Sequence, residues 1–148
     1  MKVLIQRVSH AEVMKAQESF SVIGKGVLVF LGVEKGDTIE DLEYLTKKVT
    51  RLRIFEDTGG RMNLSVADIK GDLLVVSQFT LAASCKKGNR PSFEMAEDQP
   101  MAEELYELFI EKMRETGLKI CTGEFGAHMH VSLVNDGPVT ILLDSRRR

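Results

Sequence analysis

The chain has 148 residues, 20 Lys+Arg against 22 Asp+Glu, and a formal net charge of −2. That length suits one domain over residues 1–148, large enough to bury about two-thirds of its unfolded surface without a disulfide or metal staple. An apolar fraction of 43% and a charged fraction of 28% exclude a disordered or fibrous chain. The near-neutral balance also excludes a generally basic nucleic-acid binder, so any RNA contact must come from a local patch.

The longest apolar stretch, Gly26 to Val33, is far short of the roughly 20 residues that span a bilayer. Arg7 interrupts the N-terminal segment before a secretory core can form. Cys85 and Cys121 have no close pairing in sequence and read as reduced thiols. The expectation is a cytoplasmic protein with no membrane partner.

In chain order, residues 2–8 (KVLIQRV) predict a strand, with weaker strand signals at 10–14 and 19–23. The run from Gly26 to Val33 is continuously apolar, the pattern of a strand buried on both faces. Thr38, followed by Asp41, makes a capping-box start. Leu42, Leu45, Val49 and Leu52 then recur at helical spacing. A Gly59-Gly60 turn and a strand from Asp72 to Phe79 follow. Pro100 suits the first turn of a second helix, with Met101, Leu105, Leu108, Phe109 and Met113 as its inner face and Gly117 as its stop. Residues 128–135 and 138–144 predict two more strands. The fold class is α+β: a single domain of mostly antiparallel β-sheet carrying two main helices. The closing Ser145-Arg146-Arg147-Arg148 is either a solvated terminus or a phosphate-contacting tail.

Standard signatures of chemistry are absent. His10 stands alone. His128 and His130 share one strand face, with no acidic or thiol group nearby to complete a metal site. There is no CxxC, no Ser-His-Asp pattern and no glycine-rich phosphate or nucleotide fingerprint. Two stretches stand out. Ser77-Gln78-Phe79-Thr80-Leu81 closes the apolar strand DLLVV with hydroxyls and an amide, so that strand either ends in solvent or runs into a cleft. Asn135-Asp136-Gly137-Pro138-Val139-Thr140 has strong turn chemistry, and its simplest reading is a hairpin loop between the last two strands.

Together these stretches carry a resemblance. The chain resembles the D-aminoacyl-tRNA deacylases of the type with a Gly–Pro motif, nearly end to end. The match runs from MKVLIQRVSHAEV through GVLVFLGVEKGD, KKVTRLRIFED and MNLSV to VVSQFTL at 75–81, GNRPSF at 88–93, GEFGAHMHVSLVNDGPVT at 123–140 and the closing ILLDS. One segment departs from it. Family members often place an aromatic and an acidic residue after SQFTL, whereas this chain has Ala82-Ala83-Ser84-Cys85-Lys86-Lys87.

The resemblance implies a homodimeric hydrolase whose sheets pack at the dimer interface. It would cleave the ester between a D-amino acid and the terminal ribose of tRNA and bind only the acceptor end. No cofactor, metal or DNA partner is implied. Ser77, Gln78, Phe79 and Thr80 would form the catalytic pocket, with Met129, Asn135 and Thr140 as further pocket residues. Gly137-Pro138 would be cis and would reach into the partner's pocket as the chirality filter, in place of the simple hairpin. Physically, rigid backbone reads the substrate Cα better than any side-chain pocket, because methylene-sized differences bring only about 1–3 kcal/mol. A filter that excludes L side chains cannot exclude glycine, so glycyl-tRNA is expected to be cleaved as well. Lys86, Lys87 and Arg90 are candidates for acceptor-stem phosphates, and Lys47, Lys48, Arg51 and Arg53 form a second cluster. Arg7 is a candidate for orienting the Gly–Pro loop.

Overall fold

A computed structural model describes residues 1–148. Strands β1 (Lys2–Lys15), β2 (Glu18–Ile23) and β3 (Gly26–Gly32) precede helix α1 (Ile39–Arg51). The short β4 (Phe55–Glu56) and β5 (Met62–Leu64) form a separate ribbon. Strand β6 (Asp72–Ser77) leads through a 3₁₀ turn at Phe79–Ala82 to helix α2 (Gln99–Arg114). Strands β7 (Ile120–Thr122) and β8 (His130–Asp144) complete the chain. No helix is long and apolar enough to cross a membrane.

The α+β class and the two helices agree with the sequence, but several strand limits differ. Residues 2–8 and 10–14 belong to one strand, β1, because it has neighbours along its whole length. Its first half pairs with β3 and its second half with β2, both antiparallel, while β8 runs antiparallel along the opposite edge from Lys2↔Asp144 to Met14↔His130. The β3–β6 and β6–β7 pairings are parallel. The sheet is therefore antiparallel around β1 and parallel beyond β3, where α1 and α2 supply the long crossovers that parallel pairing requires.

The central strands are buried on both faces, as the run at 26–33 predicts. Val27, Val29, Leu31, Leu73 and Val75 face the larger core, which holds Leu42, Leu45 and Val49 of α1 and Leu105, Tyr106 and Phe109 of α2. Leu28, Leu74 and Val76 point the other way, into a smaller core with Val8, Ala11, Val13 and Ile23. On α2 the buried stripe is Ala102, Leu105, Tyr106, Phe109, Ile110 and Met113. Met101 is exposed and Leu108 only partly buried, because this set follows the i, i+3, i+4 rule more fully than the expected one.

The last two predicted strands are not a hairpin. Both halves pair with β1 as one strand. Between Val8↔Asn135 and Gln6↔Thr140, residues 136–139 stand opposite Arg7 alone. The Asn-Asp-Gly-Pro chemistry thus makes a bulge in a continuous strand. The predicted strand to Phe79 likewise stops at Ser77, where the 3₁₀ turn begins.

The basic tail is folded against the start of α1. Arg146 lies 3.0 Å from Asp37, and Arg148 lies 2.8 Å from Asp41. Asp41 also accepts the Thr38 N–H at 3.0 Å. Burial alone pushes the Asp41 carboxyl up, but the Thr38 and Arg148 hydrogen bonds outweigh it and hold the group at about 2, below its ordinary 3.8. A depressed carboxylate stabilises the fold above its ordinary pKa, and that contribution is lost as pH falls through its folded value. Asp41→Asn should therefore flatten the loss of stability between pH 4 and pH 2. Urea unfolding should register a difference of about 1 kcal/mol, since solvent screens a site at a helix end.

Candidate active site

The SQFTL segment sits where β6 leaves the sheet. Ser77 is the last residue paired with β3, opposite Leu31, and the Gln78 N–H still donates to the Leu31 carbonyl at 2.8 Å. The chain then tightens into the 3₁₀ turn. Gly32 permits this: a Cβ there would lie 2.9 Å from Leu81 Cβ and 3.0 Å from the Gln78 carbonyl. From below, the buried Tyr106 hydroxyl donates to the Val75 carbonyl at 3.0 Å. Burial pushes that phenol above its ordinary pKa, so it stays a neutral donor.

Ser77, Gln78 and Phe79 line a cavity of about 410 Å³ together with Met129. Glu97, Gln99 and Phe125, which sequence reasoning did not single out, also line it, as does His128, which was weighed only as a metal ligand. The signal for Phe125 lay in GEFGAHMHV, a stretch that otherwise pointed to Met129 as a pocket residue. Phe79 is 56% exposed, and its ring meets Phe93 edge-on at 5.0 Å. The Gln78 side-chain amide donates to the Thr80 hydroxyl. The predicted strand at 128 begins only at His130, so His128 lies outside β8, although the two rings meet with centroids 5.2 Å apart. No group of three or more His, Cys, Asp or Glu is placed to hold a metal ion.

The Gly–Pro stretch lies elsewhere. The Gly137–Pro138 peptide bond is cis, and Gly137 has φ +139°. Asn135 and Thr140 do not line the cavity; they brace the bulge. Asn135 Nδ2 donates to Thr140 Oγ1 at 2.9 Å, and the Val139 N–H donates to Asn135 Oδ1 at 2.8 Å. Arg7, only 6% exposed, holds the bulge from beneath. Its Nε donates to the Asp136 carbonyl at 2.8 Å, and its Nη1 donates to the Ile54 carbonyl at 2.5 Å. A Cβ on Gly137 would meet Arg7 Nη2 at 3.0 Å and Val139 Cγ2 at 2.8 Å.

Within one chain the two motifs do not meet. Ser77 is level with Val3 and Leu143, whereas the bulge is level with Arg7, on the far side of β3 and β1. At roughly 3.3 Å per residue and 4.8 Å per strand, that is about 13 Å along the sheet and about 14 Å across it. Lys86, Lys87 and Arg90 are exposed on the loop after the 3₁₀ turn, where Ser84 and Ser92 pair through their backbones at 2.8 and 2.9 Å.

Comparison with known proteins decides the family. Its profile, described as D-Tyr-tRNA(Tyr) deacylase, matches residues 4–144. The chain belongs to this family of hydrolases. A D-aminoacyl-tRNA deacylase of Thermotoga petrophila is 57% identical over 147 residues, covering 99% of each chain. Among solved structures, one named c-Myc DNA Unwinding Element Binding Protein superposes with a TM-score of 0.93 at 44% identity, covering 97% of this chain and 98% of that one. Another, of a probable eukaryotic D-amino acid tRNA deacylase, has a TM-score of 0.85 at 17% identity, covering 96% and 97%; it shares the fold.

Replacing Arg7 with Met would leave the Ile54 and Asp136 carbonyls without their donor. Arg7→Met should cost about 2–4 kcal/mol in urea unfolding. Arg7→Lys, with a single donor head, should recover only part of it.

Proposed function

We propose that this chain hydrolyses the ester joining a D-amino acid to the terminal ribose of tRNA, that it works as a homodimer in the cytoplasm, and that it rejects L-aminoacyl-tRNA through the Gly137-Pro138 bulge. The observation that carries this reading is the separation of the two motifs on one chain: a bulge some 20 Å from its own pocket is useful there only if a second copy offers its pocket. In a two-fold dimer each bulge would enter the other pocket. The outward face of β8 supports such pairing, since Val134 and Leu142 are each 57% exposed beside the bulge.

Ser77, Gln78, Phe79 and Thr80 position the ester and a water in this reading. The only side chain bonded to the Thr80 hydroxyl is the Gln78 amide, a donor that cannot take a proton, which favours positioning over a threonine nucleophile. The N–H groups of Phe79 and Thr80 open the 3₁₀ turn and have no partner within it, so they are suited to the developing oxyanion. Backbone carbonyls of Gly137 and Pro138 hold the substrate ammonium and block the direction of an L side chain. Lys86, Lys87 and Arg90, exposed on the loop after the 3₁₀ turn, meet tRNA phosphates in this reading.

The test is hydrolysis of matched D- and L-aminoacyl-tRNAs. The D substrate should be cleaved faster by roughly 100-fold or more, the scale of a side chain that does not fit, and glycyl-tRNA should be cleaved as well. Equal cleavage of both enantiomers would overturn the proposed function. Gly137→Ala, whose Cβ meets Arg7 and Val139, should lose most of this discrimination. Light scattering should give the mass of two chains, and Leu142→Arg should give one chain without activity.

A further inference from the structure

Not all of the basic surface is accounted for by internal pairing. Eight of the 20 Lys and Arg residues form ion pairs: Lys2, Arg7, Lys15, Lys112, Lys119, Arg146, Arg147 and Arg148. Lys47, Lys48, Arg51 and Arg53 do not, although they crowd into seven residues that include no carboxylate. All four are exposed and, with Tyr44 and Leu52, line a cleft of about 420 Å³. Cations at a helix C-terminus complement its dipole, which accounts for Lys48 and Arg51 in the last turn of α1. It does not account for Arg53, which lies beyond the helix, has the neutral Asn63 as its side-chain hydrogen-bond partner at 3.4 Å, and feels the Asp68 carboxylate without forming an ion pair with it.

The position of this patch is set by Arg7. Arg53 is joined directly to Ile54, whose carbonyl accepts one Arg7 hydrogen bond while the Asp136 carbonyl accepts another. The Arg53 end of the patch therefore adjoins the Gly137-Pro138 bulge, at the far end of the sheet from its own Ser77. We infer that Lys47, Lys48, Arg51 and Arg53 bind acceptor-stem phosphates of the tRNA whose aminoacylated end occupies the partner subunit's pocket, so that each tRNA is held by both copies. This rests on the dimeric deacylase reading above. The chemistry is that of backbone contact. The Tyr44 ring is already engaged by Lys48 at 5.5 Å and Arg148 at 5.1 Å, which leaves point charges to meet phosphates and no free aromatic face to read bases.

The test uses the dimer with all four residues replaced: Lys47→Gln, Lys48→Gln, Arg51→Gln and Arg53→Gln. Turnover is measured on D-aminoacyl-tRNA and on D-aminoacyl-adenosine, which lacks the stem. The KM for the tRNA should rise about tenfold at 0.15 M salt, and the slope of log KM against log salt should fall by about 3. Turnover of D-aminoacyl-adenosine should not change. An unchanged KM for tRNA, or equal losses on both substrates, would overturn the assignment. Failure of the wild type to cleave either substrate would instead overturn the deacylase reading.

Mixed dimers resolve which pocket the patch serves. One chain carries Ser77→Phe, which fills its own pocket, and keeps its patch; the other carries the four glutamines and keeps its pocket. This dimer should have the wild-type KM for tRNA at its one open pocket. A raised KM would place the patch beside its own pocket and overturn the assignment.

Discussion

A buried guanidinium cannot be left unpaired, and this requirement at Arg7 organises the functional half of the molecule. Taking that charge out of water is costly unless its donors find acceptors. The acceptors are two main-chain carbonyls, Ile54 and Asp136, from segments far apart in sequence. The Asp136 carboxylate, 3.6 Å from Nε and about half exposed, adds less than these carbonyls do. One side chain thereby joins the end of α1 to the bulge in β8. A side chain at Gly137 would crowd both Val139 Cγ2, at 2.8 Å, and the guanidinium, at 3.0 Å, at a φ of +139° that already favours glycine.

The pocket depends on a different constraint. β3 and β6 bury alternate residues in opposite cores, so neither strand can twist or slip without moving apolar groups into water. Ser77 leaves this rigid pair at a defined level. The absent side chain at Gly32 and the Tyr106 hydroxyl then fix where the 3₁₀ turn lies. Backbone donors that must meet a developing charge benefit from such preorganised support.

Much of this was legible in the sequence. The run at 26–33 foretold a strand with two buried faces, and the 3–4–3 spacing after Thr38 foretold α1. Arg7 drew notice as a partner for the Gly–Pro loop. What was not legible depends on tertiary contacts. Nothing local in Asn135–Thr140 tells a hairpin from a bulge, because the difference lies in whether β1 offers an edge to both halves. The inner face of α2 was misjudged at Met101 and Leu108 because composition alone does not fix the rotation of a helix. Within one chain Asn135 and Thr140 brace the bulge, an arrangement of hydrogen bonds that no spacing rule reveals.

The bulge in β8 is held in the ladder on both flanks, from His130 to Asn135 and from Thr140 to Asp144. A segment anchored at both ends over so short a span has little conformational entropy left to lose when it meets a ligand. In the proposed filter it would act as a fixed gauge and not as a closing lid, with no loop-ordering step between substrate arrival and selection. In the proposed dimer, the stiffness of the gauge resides in one copy while its reading is made in another. On that proposal, a substitution in β1 that loosens the bulge would register as lost selectivity in a pocket whose own residues are intact.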